Sequence, residues 1–279
     1  MLTVSFYGVR GSTPCSSPDL HRYGGNTSCV VLEGEDGNPI VFDLGTGLRT
    51  FGTDCQGSDP FIGTALLTHL HWDHIQGLPF FAPIHQPGAE LDVYGPCGED
   101  RCLTDEFDTF LNPPFFPVHS SDLVGDVRFH DMLHGEMTIG PAMVTCRPVP
   151  HVGVTNGYRV EWGGRTVAYM SDHQEPVDDP TSVADSVLEL AAGVDVLIHD
   201  AQFTEAEFRE RPHWGHCSIR YALEVAHQAK AKQLVLFHHD PLHDDEMIDQ
   251  LLLEAQAIAV DLDVGSVVAA SEGLKLTLD

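Results

Sequence analysis

Lysine is almost missing from this chain. Only Lys230, Lys232 and Lys275 occur in 279 residues, and 42 acidic side chains face 14 Lys and Arg, a formal charge of −28. There is no basic run and no Arg/Lys stripe. A protein that tracks nucleic acid by its phosphates normally carries one. Extended nucleic acid is therefore disfavoured as a partner, and a small anionic or ester substrate is expected. No apolar run reaches the length of a membrane span, so no membrane partner is expected. The N-terminus, Met1-Leu2-Thr3-Val4-Ser5-Phe6, lacks the basic region and long apolar core of a secretory leader. The seven cysteines form no C-x-x-C pair and their number is odd, which argues against a disulfide framework. Reduced thiols and a cytoplasmic location are expected. Repeats and linkers are also missing. With 42% hydrophobic residues the chain can bury a sizeable core, and one domain over 1–279 is expected.

Histidine is what the chain has in quantity, 17 residues in all. Its densest stretch is Ala65-Leu66-Leu67-Thr68-His69-Leu70-His71-Trp72-Asp73-His74. The apolar start predicts a buried strand. Alternate side chains of an extended segment share a face, so His69 and His71 can point the same way. Asp73 and His74 follow where Trp72 to Phe80 predicts a short helix. Four polar groups at a strand end need partners if buried. A pair of metal ions would satisfy all four, since neutral imidazole and carboxylate ligate zinc, manganese and iron alike.

Other polar residues recur just after apolar runs. Val4 to Tyr7 predicts a strand leading into the loop Gly8-Val9-Arg10-Gly11-Ser12-Thr13-Pro14 and on to Asn26. Arg10 and Asn26 are candidates to touch an anionic substrate. Ile40 to Asp43 ends in a glycine turn, where Asp43 either orients a ligand or caps the turn. Strands are expected over Leu91 to Tyr94 and Ala142 to Arg147, the latter leading to His151. A hairpin with a Gly163-Gly164 turn leads to Ser171-Asp172-His173. Thr181 to Ala192 predicts a helix capped by Ser182 and stopped by Gly193. Val194 to Ile198 leads to His199-Asp200. Ser218 to Lys230 and Asp245 to Ala257 show helical spacing. Between the latter two, Leu234 to Phe237 ends in His238-His239, and Ser266 to Ala270 is a closing strand. Residues 99 to 125 read as irregular, a candidate wall or lid of a pocket or, as the preferred reading, a stretch where Phe115 and Phe116 pack under a loop.

The ordered set His69, His71, Asp73, His74, His151, Asp172 and His238 resembles the metallo-β-lactamase superfamily, and the resemblance covers nearly the whole chain. It implies an α/β fold, an αββα sandwich of two mixed sheets face to face with helices outside. It implies two divalent ions, zinc by default, with Mn2+ or Fe2+ as alternatives. His69, His71 and His151 would hold the first, Asp73, His74 and His238 the second, and Asp172 would bridge. His238 and His239 compete for the last place; the family strand ends in its ligand histidine, which favours His238. His173 is then a neighbour of a ligand. The resemblance allows a homodimer, and the residues do not specify assembly.

Two further segments are similar to the phosphodiesterase branch that includes ribonuclease Z. Leu197-Ile198-His199-Asp200-Ala201 stands where that branch has His-Glu-Ala, and Gly215-His216-Cys217-Ser218 stands where it has Gly-His-x-Thr. The resemblance implies that His216 donates a proton to the leaving oxygen, that Asp200 orients it, and that Asp73 belongs to the catalytic centre. Only 20 residues (152–171) separate His151 from Asp172, too few for the tRNA-gripping arm of long-form ribonuclease Z. The expected activity is hydrolysis of a small phosphodiester of cyclic nucleotide or cyclic phosphate type by a water activated between two ions. Hydrolysis of a lactone, thioester or β-lactam, and ribonuclease Z-like RNA processing, are the alternatives.

Overall fold

Short β-branched and aromatic runs separated by glycine, proline and aspartate turns fold into two seven-stranded sheets. The computed structural model describes residues 1–55, 59–98 and 100–279. The first half contributes β1 (Leu2–Gly8), β2 (Cys29–Gly34), β3 (Ile40–Phe42), α1 (Gly47–Asp54), β4 (Ile62–Leu66), α2 (Trp72–Ile75), β5 (Glu90–Gly95), α3 (Leu103–Phe110) and β6 (Asp126–Asp131). The second contributes β7 (Gly135–Ile139), β8 (Ala142–Pro148), β9 (Asn156–Trp162), β10 (Arg165–Met170), α4 (Asp185–Ala191), β11 (Val196–Asp200), α5 (Glu205–Glu210), α6 (Ile219–Ala229), β12 (Gln233–Phe237), α7 (Asp245–Asp261) and β13 (Ser266–Ala269). The last strand, β14 (Lys275–Leu278), returns to the first sheet beside β1.

The sheet orders are β14-β1-β2-β3-β4-β5-β6 and β7-β8-β9-β10-β11-β12-β13. Each begins with antiparallel pairings and ends with parallel ones, the change falling after β3 in the first sheet and after β10 in the second. Alternation along the strands sorts side chains between layers. Val196, Ile198, Val235 and Phe237 face the first sheet, where they meet Phe6, Val30 and Phe42 in one core. Phe42 stacks on Tyr169 across the two sheets at 4.6 Å. The intervening Leu197, Leu234 and Leu236 face the other way and pack on α4, α6 and α7. On the outer side of the first sheet, Leu48, Phe51, Leu103 and Phe107 from α1 and α3 cover Val31, Val41 and Val93. The layers are helix, sheet, sheet, helix, as the resemblance implies.

Several elements depart from expectation. The stretch read as irregular contains α3, whose Leu103 and Phe107, four apart, are both buried. The expected helix from Thr181 starts only at Asp185, because the Thr181 hydroxyl and amide both bind Asp179 Oδ1 and Ser182 caps nothing. Gly193 does stop it, with φ +60°. The helix after Ser218 holds, with the Ser218 hydroxyl accepting from the Tyr221 amide. The helix expected from Trp72 to Phe80 is two short turns, Trp72–Ile75 and Leu78–Phe80. Phe115 does not pack under a loop; it is 76% exposed.

Candidate metal centre

Parallel strands leave their carboxyl ends on one edge, where ligands of open α/β sheets gather. Here the two edges face each other. Asp43 follows β3, His69 follows β4, Asp172 follows β10, Asp200 ends β11 and His238 follows β12. Asp43 and His238 both adopt left-handed backbone, φ +58° and +61°. That conformation costs a non-glycine residue about 1–2 kcal/mol. In both cases it accompanies a side chain held by buried hydrogen bonds.

The seven residues of the ordered set converge. Ligand atoms of His69, His71, His151 and Asp172 lie within 4.8 Å of one another, and so do those of Asp73, His74 and His238. Asp172 stands between the groups. Its Oδ2 is 3.7 Å from both His69 Nε2 and His151 Nε2. Its Oδ1 is 3.2 Å from His74 Nε2 and 3.4 Å from His238 Nε2. Asp73 Oδ2 lies 3.1 Å from His74 Nε2 and 3.0 Å from His238 Nε2. His239 points elsewhere: its Nε2 lies 2.9 Å from the Ala270 carbonyl and its ring meets the edge of Tyr23.

Outside the cluster four of the five imidazoles are fixed by their other nitrogen, the arrangement that sets tautomer and ring direction in metal sites, while His71 Nδ1 meets His151 Nε2 at 3.3 Å. His74 Nδ1 lies 2.8 Å from Asp43 Oδ2, and His238 Nδ1 lies 2.9 Å from Gln202 Oε1. His151 Nδ1 contacts the Gly215 carbonyl at 2.5 Å, and His69 Nδ1 contacts the Thr68 hydroxyl at 3.0 Å. Asp43 also accepts from the Thr68 amide and hydroxyl and from Tyr169 across the sheets. Asp73 Oδ2 accepts from the Ser12 amide at 2.8 Å. Asp43 thus orients a cluster residue rather than merely capping its turn.

The donor set fits divalent cations. His69 Nε2, His74 Nε2 and Asp172 Oδ1 are buried and have no hydrogen-bond partner, and all three aim into the cluster. Leaving such groups unsatisfied is costly. Burial pushes His69, His71 and His151 down, which keeps them neutral, the form that ligates. Burial works against charge on Asp172, yet the imidazoles of His238, His74 and His69 hold its carboxyl well below the usual range. His74 goes the other way. Despite burial, Asp73, Asp172 and Asp43 push it up.

Beside the cluster, His216 Nδ1 donates to Asp200 Oδ2 at 2.9 Å. Asp200 is fully buried and also accepts from the His173 and Gln202 amides. The His216 ring stacks on His238 at 5.0 Å and meets Phe203 edge-on. Burial opposes its protonation, but Asp200, Asp172 and Asp73 outweigh it and push His216 up to about 9. His173 lies behind the cluster, its Nδ1 2.8 Å from His199 Nε2. Gly215 has φ +95°, and a Cβ there would collide with the His151 ring.

Two expected substrate contacts are corrected. Arg10 is fully buried; its guanidinium donates to the carbonyls of Gly24, Asp240 and His243 and ties the first loop to the segment after β12. Asn26 is held by Glu272 through both amide and side chain. Polar loop residues near a glycine turn looked like anion contacts, and they are structural ties. Sequence reasoning missed Ser12, Thr68 and Gln202, which touch cluster residues, and Gln174 and Glu175, which hold the Gly215 and Ser218 amides and so the loop of His216. None stands in a recognisable pattern; Gln202, two residues after Asp200, had position alone as a signal.

The layered fold and this imidazole–carboxylate cluster define a metal-dependent hydrolase of the metallo-β-lactamase class. The profile of the Beta-lactamase superfamily domain matches residues 40–239, and the chain belongs to that family. It is 28% identical over 279 aligned positions to a Ribonuclease Z of Natronomonas pharaonis, covering 85% of this chain and 86% of the relative. Among solved structures it is similar to the metallo-beta-lactamase fold protein YhfI from Bacillus subtilis, with TM-score 0.72, 20% identity and coverage of 99% and 98%. Human tRNase Z, short form, gives 0.69, 22% and 99% of each chain. The expectation against extended nucleic acid is not borne out, since sequence relatives over most of the chain are named as ribonucleases. No helix among the described residues is long and apolar enough to cross a membrane.

Proposed function

We propose that the protein is a phosphodiesterase in which His216 is the general acid. The observation that carries this reading is the His216–Asp200 pair beside the cluster, at 2.9 Å. In this reading His69, His71 and His151 would hold one cation and Asp73, His74 and His238 a second, with Asp172 contributing to both groups. Two divalent ions there, zinc, manganese or iron, would offset charge on the phosphoryl oxygens and lower the pKa of a water between them. Asp200 accepts a hydrogen bond from His216 Nδ1–H and leaves Nε2–H to protonate the departing alkoxide. Were cations to neutralise Asp172 and Asp73, Asp200 would still keep His216 protonated. Asp43, Thr68 and Gln202 hold the imidazoles so that no reorganisation is needed at the moment of reaction.

The stretch between His151 and Asp172 is a tight β9–β10 hairpin turning at Gly163 and Gly164, with no inserted arm. That supports a small phosphodiester, of cyclic nucleotide or cyclic phosphate type, as the substrate. RNA is the second reading, supported by the Natronomonas relative. All seven cysteines are free, which supports a reducing, cytoplasmic compartment. A panel of bis(p-nitrophenyl) phosphate, a cyclic nucleotide, an RNA with a 3′ trailer, a lactone and a β-lactam tests the activity. Turnover of the phosphodiesters is expected. Turnover of the lactone or lactam alone rejects the reading.

A further inference from the structure

A groove of about 420 Å³ lies beside the cluster, walled by Trp72, Phe80, Phe110, Phe115 and Phe116. Its size falls within the roughly 300–1,000 Å³ of small-molecule sites. It adjoins the cluster in two ways. Trp72 is the residue between His71 and Asp73. Glu106 lines both this groove and the cavity of about 260 Å³ bounded by His69 and His71. The rings are unusually open for their size: Trp72 is 69% exposed, Phe80 57% and Phe115 76%. Phe80 and Phe116 meet edge to face at 6.0 Å, which makes a corner of aromatic rings rather than a packed core. Clustered exposed apolar surface of this kind marks a contact site.

We infer that this groove seats a flat aromatic ring carried by the substrate phosphoester, next to the phosphorus held at the cluster. The chemistry divides accordingly. The cations would attract the anionic end, and an uncharged ring suits the aromatic wall of a chain whose net charge is −28. Ring faces take a planar ring by offset or edge contacts, and a ring is sequence-tolerant because every base has a π-face. The Glu106 carboxylate at the junction can accept from an amine on the ring edge. A nucleobase and a simple aryl group share this chemistry. The inference rests on the phosphoester reading above and names the part of the substrate that does not react.

The test is calorimetric binding of three monoesters to the metal-loaded protein: adenosine 5′-monophosphate, phenyl phosphate and ribose 5-phosphate. Ring stacking should tighten binding of a ring-bearing ester over ribose 5-phosphate by roughly 5- to 150-fold. Tighter binding of both ring esters shows that any flat ring suffices; an advantage for one alone identifies the source as base or aryl. In Phe80→Leu/Phe115→Leu, which keeps bulk and removes two exposed rings, the ratio should fall toward one. Equal binding of all three esters, or a ring advantage that survives in that variant, overturns the inference. Hydrolysis of phosphodiesters without ring preference would sink this proposal alone. A ring preference without phosphodiester hydrolysis would sink the preceding reading, and with it the assignment of the ring to a phosphoester substrate.

Discussion

The two sheets equip one site by different means. The first sheet supplies His69, His71, Asp73 and His74 from the single segment that runs from the end of β4 into α2, with Asp43 beneath it. The second supplies its groups one at a time: His151 after β8, Asp172 after β10, Asp200 at the end of β11, His216 before α6 and His238 after β12. The first arrangement is local, and one backbone segment fixes all four side chains. The second depends on every strand being in register, so it is where packing and chemistry are coupled. Asp172 joins the two, with one oxygen facing each group of imidazoles.

That contrast orders the expected effects. Asp172→Ala should be the most damaging, because it removes the group shared by both halves and leaves four buried imidazoles facing an empty place; turnover should fall to the background rate. Loss confined to a few-fold would break the bridging assignment. His216→Ala should come next. Acid catalysis of this kind contributes about 10²–10⁴-fold, and the loss should fall on alkyl esters while nitrophenyl esters are nearly spared. An equal loss for both would remove His216 from the proton path. Asp43→Asn acts through His74 and Thr68 and should weaken metal binding by about 10–100-fold, followed by equilibrium dialysis. Gln202→Ala removes the contacts to His238 and to the Ser12 hydroxyl and should cost about tenfold, the low end of the same range.

The smallest effect is on stability and lies in the first sheet alone. The Arg128 guanidinium holds Asp92 down at about 2, against burial and with help from His130. A carboxyl depressed from its ordinary 3.8 stabilises the fold above that value, and the contribution is lost as pH falls from about 4 to about 2. Asp92→Asn should flatten that part of a thermal-stability profile. An unchanged slope would remove the pair as a contributor.

The same contrast explains what could be read from the amino-acid order. The segment after β4 is legible because its candidate ligands are nearly contiguous and follow an apolar run. The later candidates are isolated polar residues after strands, and only their order, matched to a family pattern, picks them out. Strand alternation lets only one of His238 and His239 face the cluster, the family strand favours His238, and the structure turns His239 toward Ala270. Arg10 misled because a charged residue in a glycine loop reads as exposed; its partners are carbonyls far along the chain, at Asp240 and His243. The α3 segment was hidden by flanking prolines and aromatics, and its two buried residues are too few to show a period. Nothing local distinguishes Ser12 or Gln202, whose partners at Asp73 and His238 are more than 30 residues away.

Equilibrium dialysis against zinc or manganese, followed by elemental analysis, tests the central claim most directly when wild type and Asp172→Asn are run side by side. The account predicts two ions per chain in the wild type and a loss from both positions in the variant. A wild type that takes up no metal, or a variant that retains both ions, would contradict it.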